Sequence, residues 1–132
     1  MPRSPRLVGD RLWPLNSGRT ELGFLDLRRG NWEQVLTLPG YPRGLAIVDQ
    51  WAVIGLSSAR DTVSDEADGG AVAGIVVADL FKGEIAHRLT IDAPVREITD
   101  LALLQGVRRP GLVGFRSPEI MRQVKIGDDV EL

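Results

Sequence analysis

Short apolar runs separated by turn residues make up most of this chain. Runs at residues 11–15, 22–27, 32–38, 45–48, 51–57, 73–80, 85–91, 98–104 and 112–115 are rich in Val, Ile and Leu. Their length and branched content predict strands. Ser17-Gly18, Arg29-Gly30-Asn31, Asp49-Gln50, Lys82-Gly83 and Gln105-Gly106 stand between them as reversals. Residues 118–124 alone read as a helix, with Pro118 in the first turn and Glu119 beside it. The expected class is all-β with one short C-terminal helix, residues 118–132 forming helix and tail. Residues 45–48 and 74–80 are apolar at successive positions rather than alternating, as in strands covered on both faces.

The chain also repeats itself. Shifted by 53 residues, segment 21–43 lies without gaps over segment 74–96. Identities fall at Asp26/Asp79, Leu27/Leu80, Gly30/Gly83, Leu36/Leu89, Thr37/Thr90 and Arg43/Arg96. Each copy reads strand, Asp-Leu, two residues, Gly, strand, then Arg. That is a hairpin whose turn uses Gly for a positive φ. Segments 13–17, 54–58 and 113–117 are similar strand ends, each closing on serine. The expected unit is a four-stranded antiparallel blade, repeated over about 11–38, 43–91 and 97–115 within one domain spanning 1–132. Repeats of this kind build β-propellers. Two blades and a fraction do not close a ring. Closure would require self-association or missing N-terminal blades, and a small sandwich is the other solution.

Several motifs together resemble a known family. They are residues 15–18 followed by 21–27, then 38–46, 54–60 and 106–115. The resemblance, running from about Ser4 to Val124, is to a bacterial conserved-hypothetical family, domain of unknown function 4915, with propeller-like repeats. It implies a propeller-type fold and places this chain at the C-terminal part of a longer member. The loop 58–70 is shorter than in that family. The family carries no activity to transfer.

Composition narrows the functional classes. The chain has 132 residues, net charge -2, one His and no Cys. Disulfides, thiolate metal sites and a cysteine nucleophile are excluded. The balanced charge and seven aromatics argue against a nucleic-acid partner, and no apolar run is long enough for a membrane span. The start has basic residues but no signal-like apolar stretch, so a cytoplasmic location is expected. Basic residues are lopsided, 14 Arg to 2 Lys. No cofactor is expected.

The candidate chemistry is sparse. Asp61, Asp65, Glu66 and Asp68 precede two glycines, but a calcium-loop register puts Ser64 first and Ile75 where the bidentate Glu belongs. A solvated acidic loop is the better reading. Arg43 and Arg96 are repeat equivalents, and inward arginines could hold a carboxylate or phosphate. A repeated residue more often serves the repeat, here by tying neighbouring blades. Asp26 and Asp79 precede the Gly turns and suit hairpin caps. Asn16, Ser57 and Arg116 end equivalent strands beside serines and, with Arg43, Arg60 and Arg96, are the candidate ligand-binding set. No G-x-S-x-G elbow surrounds Ser57, and His87 has no evident partner. The expected function is a non-catalytic ligand- or protein-binding module of propeller type. The alternative is part of a propeller hydrolase or lyase with an Arg/Ser-lined funnel. The ligand, and any catalytic residue, are not legible in the sequence.

Overall fold

The computed structural model describes residues 2–58, 73–91 and 94–110. The strands are β1 (Pro2–Val8), β2 (Arg11–Asn16), β3 (Glu21–Asp26), β4 (Trp32–Thr37), β5 (Tyr41–Val48), β6 (Trp51–Ser57), β7 (Gly74–Asp79) and β8 (Glu84–Thr90). They form two four-stranded sheets, β1-β2-β3-β4 and β5-β6-β7-β8, with every neighbouring pair antiparallel. The two sheets are called unit 1 and unit 2 below. The all-β class and the four-stranded antiparallel repeat are thus present. The expected helix at 118–124 and the strand at 112–115 lie outside the described residues.

Two expectations differ from the structure. The first sheet has four strands, because Pro2–Val8 supplies one of its edge strands. Two prolines and two arginines hide that strand, which lies at a sheet edge where a missing N–H costs little. A register shift between Arg3 and Arg6 and a φ of 45° at Ser4 mark a bulge there. Second, residues 98–104 are apolar but form no strand. A strand needs a ladder partner, and its expected partner, 112–115, lies outside the described residues.

The two Asp-Gly turns are equivalent atom for atom. Oδ1 of Asp26 accepts the N–H groups of Arg28 (2.9 Å) and Arg29 (3.0 Å). Oδ1 of Asp79 accepts those of Phe81 (2.9 Å) and Lys82 (3.1 Å). The amides of Gly30 and Gly83 donate back to the Asp26 and Asp79 carbonyls at 2.7 and 2.8 Å. Both glycines are left-handed, φ 70° and 68°, where a Cβ would be strained. Leu27 N–H donates to the Asp10 carbonyl, and Leu80 N–H to that of Gln50. Each turn is therefore also pinned to the preceding hairpin of its own unit.

The core lies between the sheets. Trp13, Leu15, Leu22, Phe24 and Leu36 of unit 1 form one buried cluster with Leu45, Ala52, Ile54, Leu56, Val76 and Ala78 of unit 2. Trp13 and Phe24 stack tilted, with centroids 5.0 Å apart, and the Arg11 guanidinium sits 4.2 Å from the Phe24 centroid. Each fully buried Leu or Ile contributes roughly 1.5–3 kcal/mol. Among the described residues there is no helix long and apolar enough to cross a membrane.

Candidate functional site

Asn16, Arg43, Ser57 and Arg96, the candidates among the described residues, lie at the end of the sheets away from the Asp-Gly turns. Strand register aligns the two units here. Leu15 pairs with Leu22 and Gly55 with Ile75, so Leu15 and Gly55 are equivalent. Ser17 therefore corresponds to Ser57, one residue away from the Ser17/Ser58 match of the sequence repeat. The strand β6 is one residue longer than β2, which shifts the match.

These serines bind the backbone of the segment that follows. The Ser17 hydroxyl donates to the Pro42 carbonyl at 2.6 Å, joining unit 1 to β5. The Ser57 hydroxyl donates to the Ile98 carbonyl (3.2 Å) and accepts the Ile98 N–H (3.0 Å). Ser58 donates its N–H and its hydroxyl to the Arg96 carbonyl, each at 2.9 Å. Ser57 is buried, 2% exposed. A buried hydroxyl must be paired, and this one is paired twice with backbone.

Segment 96–101 consequently stands on unit 2 much as β5 stands on unit 1. A Cβ on Gly44 would lie 2.6 Å from the Leu101 nitrogen, and one on Gly55 would lie 2.7 Å from Cγ2 of Ile98. Glycine at both positions permits this close approach. In unit 1 the Ser4 hydroxyl donates to the Arg43 carbonyl. Charges tie the same segment down. Arg43 Nη1 lies 2.8 Å from Glu97 Oε1, with the Arg43 side chain 15% exposed. Arg6 reaches Asp100 at 3.7 Å in a more open pair.

The expected site residues divide accordingly. Arg43, Ser57 and Arg96 are brought together at this end, Arg96 through its carbonyl and with an exposed side chain. Asn16 donates to Glu21 at 3.0 Å and lines an open cleft of about 350 Å³ with Pro2, Pro14, Arg19 and Trp32. Arg60 and Arg116, like the acidic loop at 61–68, lie outside the described residues. His87 is on the exposed strand β8, opposite Val77. Among the described residues no group of three or more His, Cys, Asp or Glu could hold a metal ion.

A second polar cleft, about 410 Å³ and open, lies at the turn end between Val8, Asp10, Arg11, Asp26, Arg28 and Arg29. The N–H groups of Arg29 and Arg28, then the Arg29 and Arg11 charges, hold the Asp26 carboxyl below its ordinary value. Arg28 pairs with Asp10 at 2.5 Å. This cluster was missed from sequence. Its signal was a departure from the repeat, since the unit 2 residues in register are Trp51 for Arg11, Phe81 for Arg28 and Lys82 for Arg29. Glu97 was also missed, having no repeat partner to flag it.

Both hydrogen bonds of Ser57 Oγ go to the Ile98 backbone, so this hydroxyl is not joined to a base among the described residues. Comparison with known proteins identifies the chain at the level of family. The family described as Domain of unknown function (DUF4915) matches residues 1–113. The chain belongs to that family. The DUF4915 match spans both sheets and the segment that Ser57 and Ser58 hold, and the two four-stranded sheets are consistent with propeller-like repeats. No curated protein matches the chain.

Proposed function

We propose that this DUF4915 chain is a non-catalytic, β-propeller-type binding module whose polar strand-end residues hold the repeats together. The carrying observation is the Ser57 hydroxyl, buried and bonded twice to the backbone of Ile98. A nucleophile needs a free hydroxyl within reach of a base. Here the hydroxyl is a fastener. Arg43 acts in the same way, joining β5 to Glu97. Binding then belongs to the faces and rims of the repeat rather than to an Arg/Ser funnel. A cytoplasmic location is part of this proposal.

The test is a pair of variants, Arg43→Ala and Ser57→Ala. Each is expected to lower unfolding free energy by about 1–3 kcal/mol in urea titration. Turnover of a panel of p-nitrophenyl esters is expected to stay at the solution rate in both variants and in the parent. Wild-type stability with loss of a bound anion or of ester turnover would instead support the hydrolase or lyase reading.

A further inference from the structure

Each unit has two faces, and strand register assigns every residue to one of them. In unit 1, Trp13, Leu15, Leu22, Phe24 and Leu36 share the face turned toward unit 2. Their register equivalents in unit 2 are Val53, Gly55, Ile75, Val77 and Leu89, which share the face turned away from unit 1. The first set is buried, with Leu22 at 0% and Leu36 at 7% exposure. In the second set, Val53, Ile75 and Val77 are only half-buried and Leu89 is 58% exposed. Segment 96–101 meets that face at Gly44 and Gly55.

The converse holds for the other kind of face. Unit 2 buries Ala52, Ile54, Leu56, Val76 and Ala78 against unit 1, with Ile47 packed beside them. The equivalents in unit 1 are Leu12, Pro14, Asn16, Gly23 and Leu25, with Leu7 in place of Ile47. Leu12, Pro14, Asn16 and Leu25 are half-buried, Leu7 is 65% exposed, and Pro14 and Asn16 border the 350 Å³ cleft. Among the described residues, one apolar face of each kind is thus left open.

We propose that these two faces bind each other between copies of this chain, the far face of unit 2 in one copy seating on the outer face of unit 1 in the next. This rests on the repeat-module reading. The occupant follows from the interface inside the chain, where a face of the first kind is covered by a face of the second kind. Pairing unlike faces makes a head-to-tail contact, which closes a ring when the rotation per copy divides a full turn.

The test uses two exposed positions, so that folding is little disturbed. Light scattering over a concentration series is expected to give a multiple of the chain mass for the parent. Leu89→Arg and Leu7→Arg are each expected to weaken self-association by roughly thirtyfold or more. An equimolar mixture of the two variants retains one intact interface and is expected to give capped dimers. Two results would overturn the proposal: a parent that stays monomeric throughout, or a mixture that stays monomeric while both variants unfold cooperatively. In either case, a destabilised Ser57→Ala variant would leave the repeat-module reading standing and remove only the partner.

Discussion

The two Asp-Gly turns form an internal control, because the same cap occurs once in a buried and once in a more open setting. Asp79 is 3% exposed, whereas Asp26 is half-buried. Each carboxylate accepts two backbone N–H groups within 3.1 Å, and Asp79 also accepts Gln50 Nε2 at 3.3 Å. Replacing Asp26 by Ala leaves amides that can turn to water. The expected loss is small, because solvent replaces the lost acceptor. Replacing Asp79 by Ala takes from the Phe81 and Lys82 backbone amides and the Gln50 side-chain amide an acceptor that is only 3% exposed. Hydrogen bonds to a charged acceptor are worth roughly 1.5–3 kcal/mol, and buried unpaired donors add to the loss. Part of this is offset because the carboxylate no longer has to be desolvated. The expected loss for Asp79→Ala is therefore about 3 kcal/mol, and clearly larger than that for Asp26→Ala. Urea unfolding at neutral pH, with an unchanged slope, measures both. The double variant should be additive to within about 0.5 kcal/mol, since the turns share no partner. Equal losses, or a larger one for Asp26→Ala, would refute the burial argument.

Other perturbations follow from the same geometry. Gly30→Ala should cost about 1 kcal/mol because its φ is 70°. Gly83→Ala should cost more, since its Cβ would also stand 3.2 Å from the Val35 carbonyl; thermal melts of the pair check the order. The Asp26 carboxyl, lowered by the Arg29 and Arg28 amides, has a folded pKa below its unfolded one. Its contribution is fully present above the unfolded value and is lost as pH falls toward the folded one. Between about pH 5 and pH 3 the parent should therefore lose more stability than Asp26→Asn, as read from urea midpoints.

The strands that could be read from sequence were those that carry a run of apolar residues, whether the fold buries it or, as in β8, leaves it exposed. β2, β3, β4, β6, β7 and β8 all show it, and the Asp-Gly turns carry local chemistry that requires no tertiary context. The strand β5 was legible only over its Leu45–Val48 end, because Pro42, Arg43 and Gly44 interrupt the apolar run before it. It is extended because Pro42 is buried and its carbonyl is held by Ser17. Segment 98–104 shows the opposite error. Its leucines read as a strand, yet pairing and not apolarity makes a strand, and this segment is held at Ile98 by Ser57 instead. The candidate site was legible where residues repeat, as with Arg43 and Arg96. Glu97 and the Arg11, Arg28, Arg29 cluster depend on contacts between units or on departures from the repeat, which no local pattern announces.

The fastening of segment 96–101 to unit 2 is most directly tested by amide hydrogen exchange at Ile98, in the parent chain and in Ser57→Ala. The Ile98 N–H donates to Ser57 Oγ in a structure where Ser57 is buried. It should be protected in the parent and lose roughly tenfold or more of that protection in Ser57→Ala, on the scale of one lost hydrogen bond. Exchange of Ile98 at the unprotected rate in the parent would contradict the fastening role of Ser57 and return that hydroxyl to the list of candidate nucleophiles.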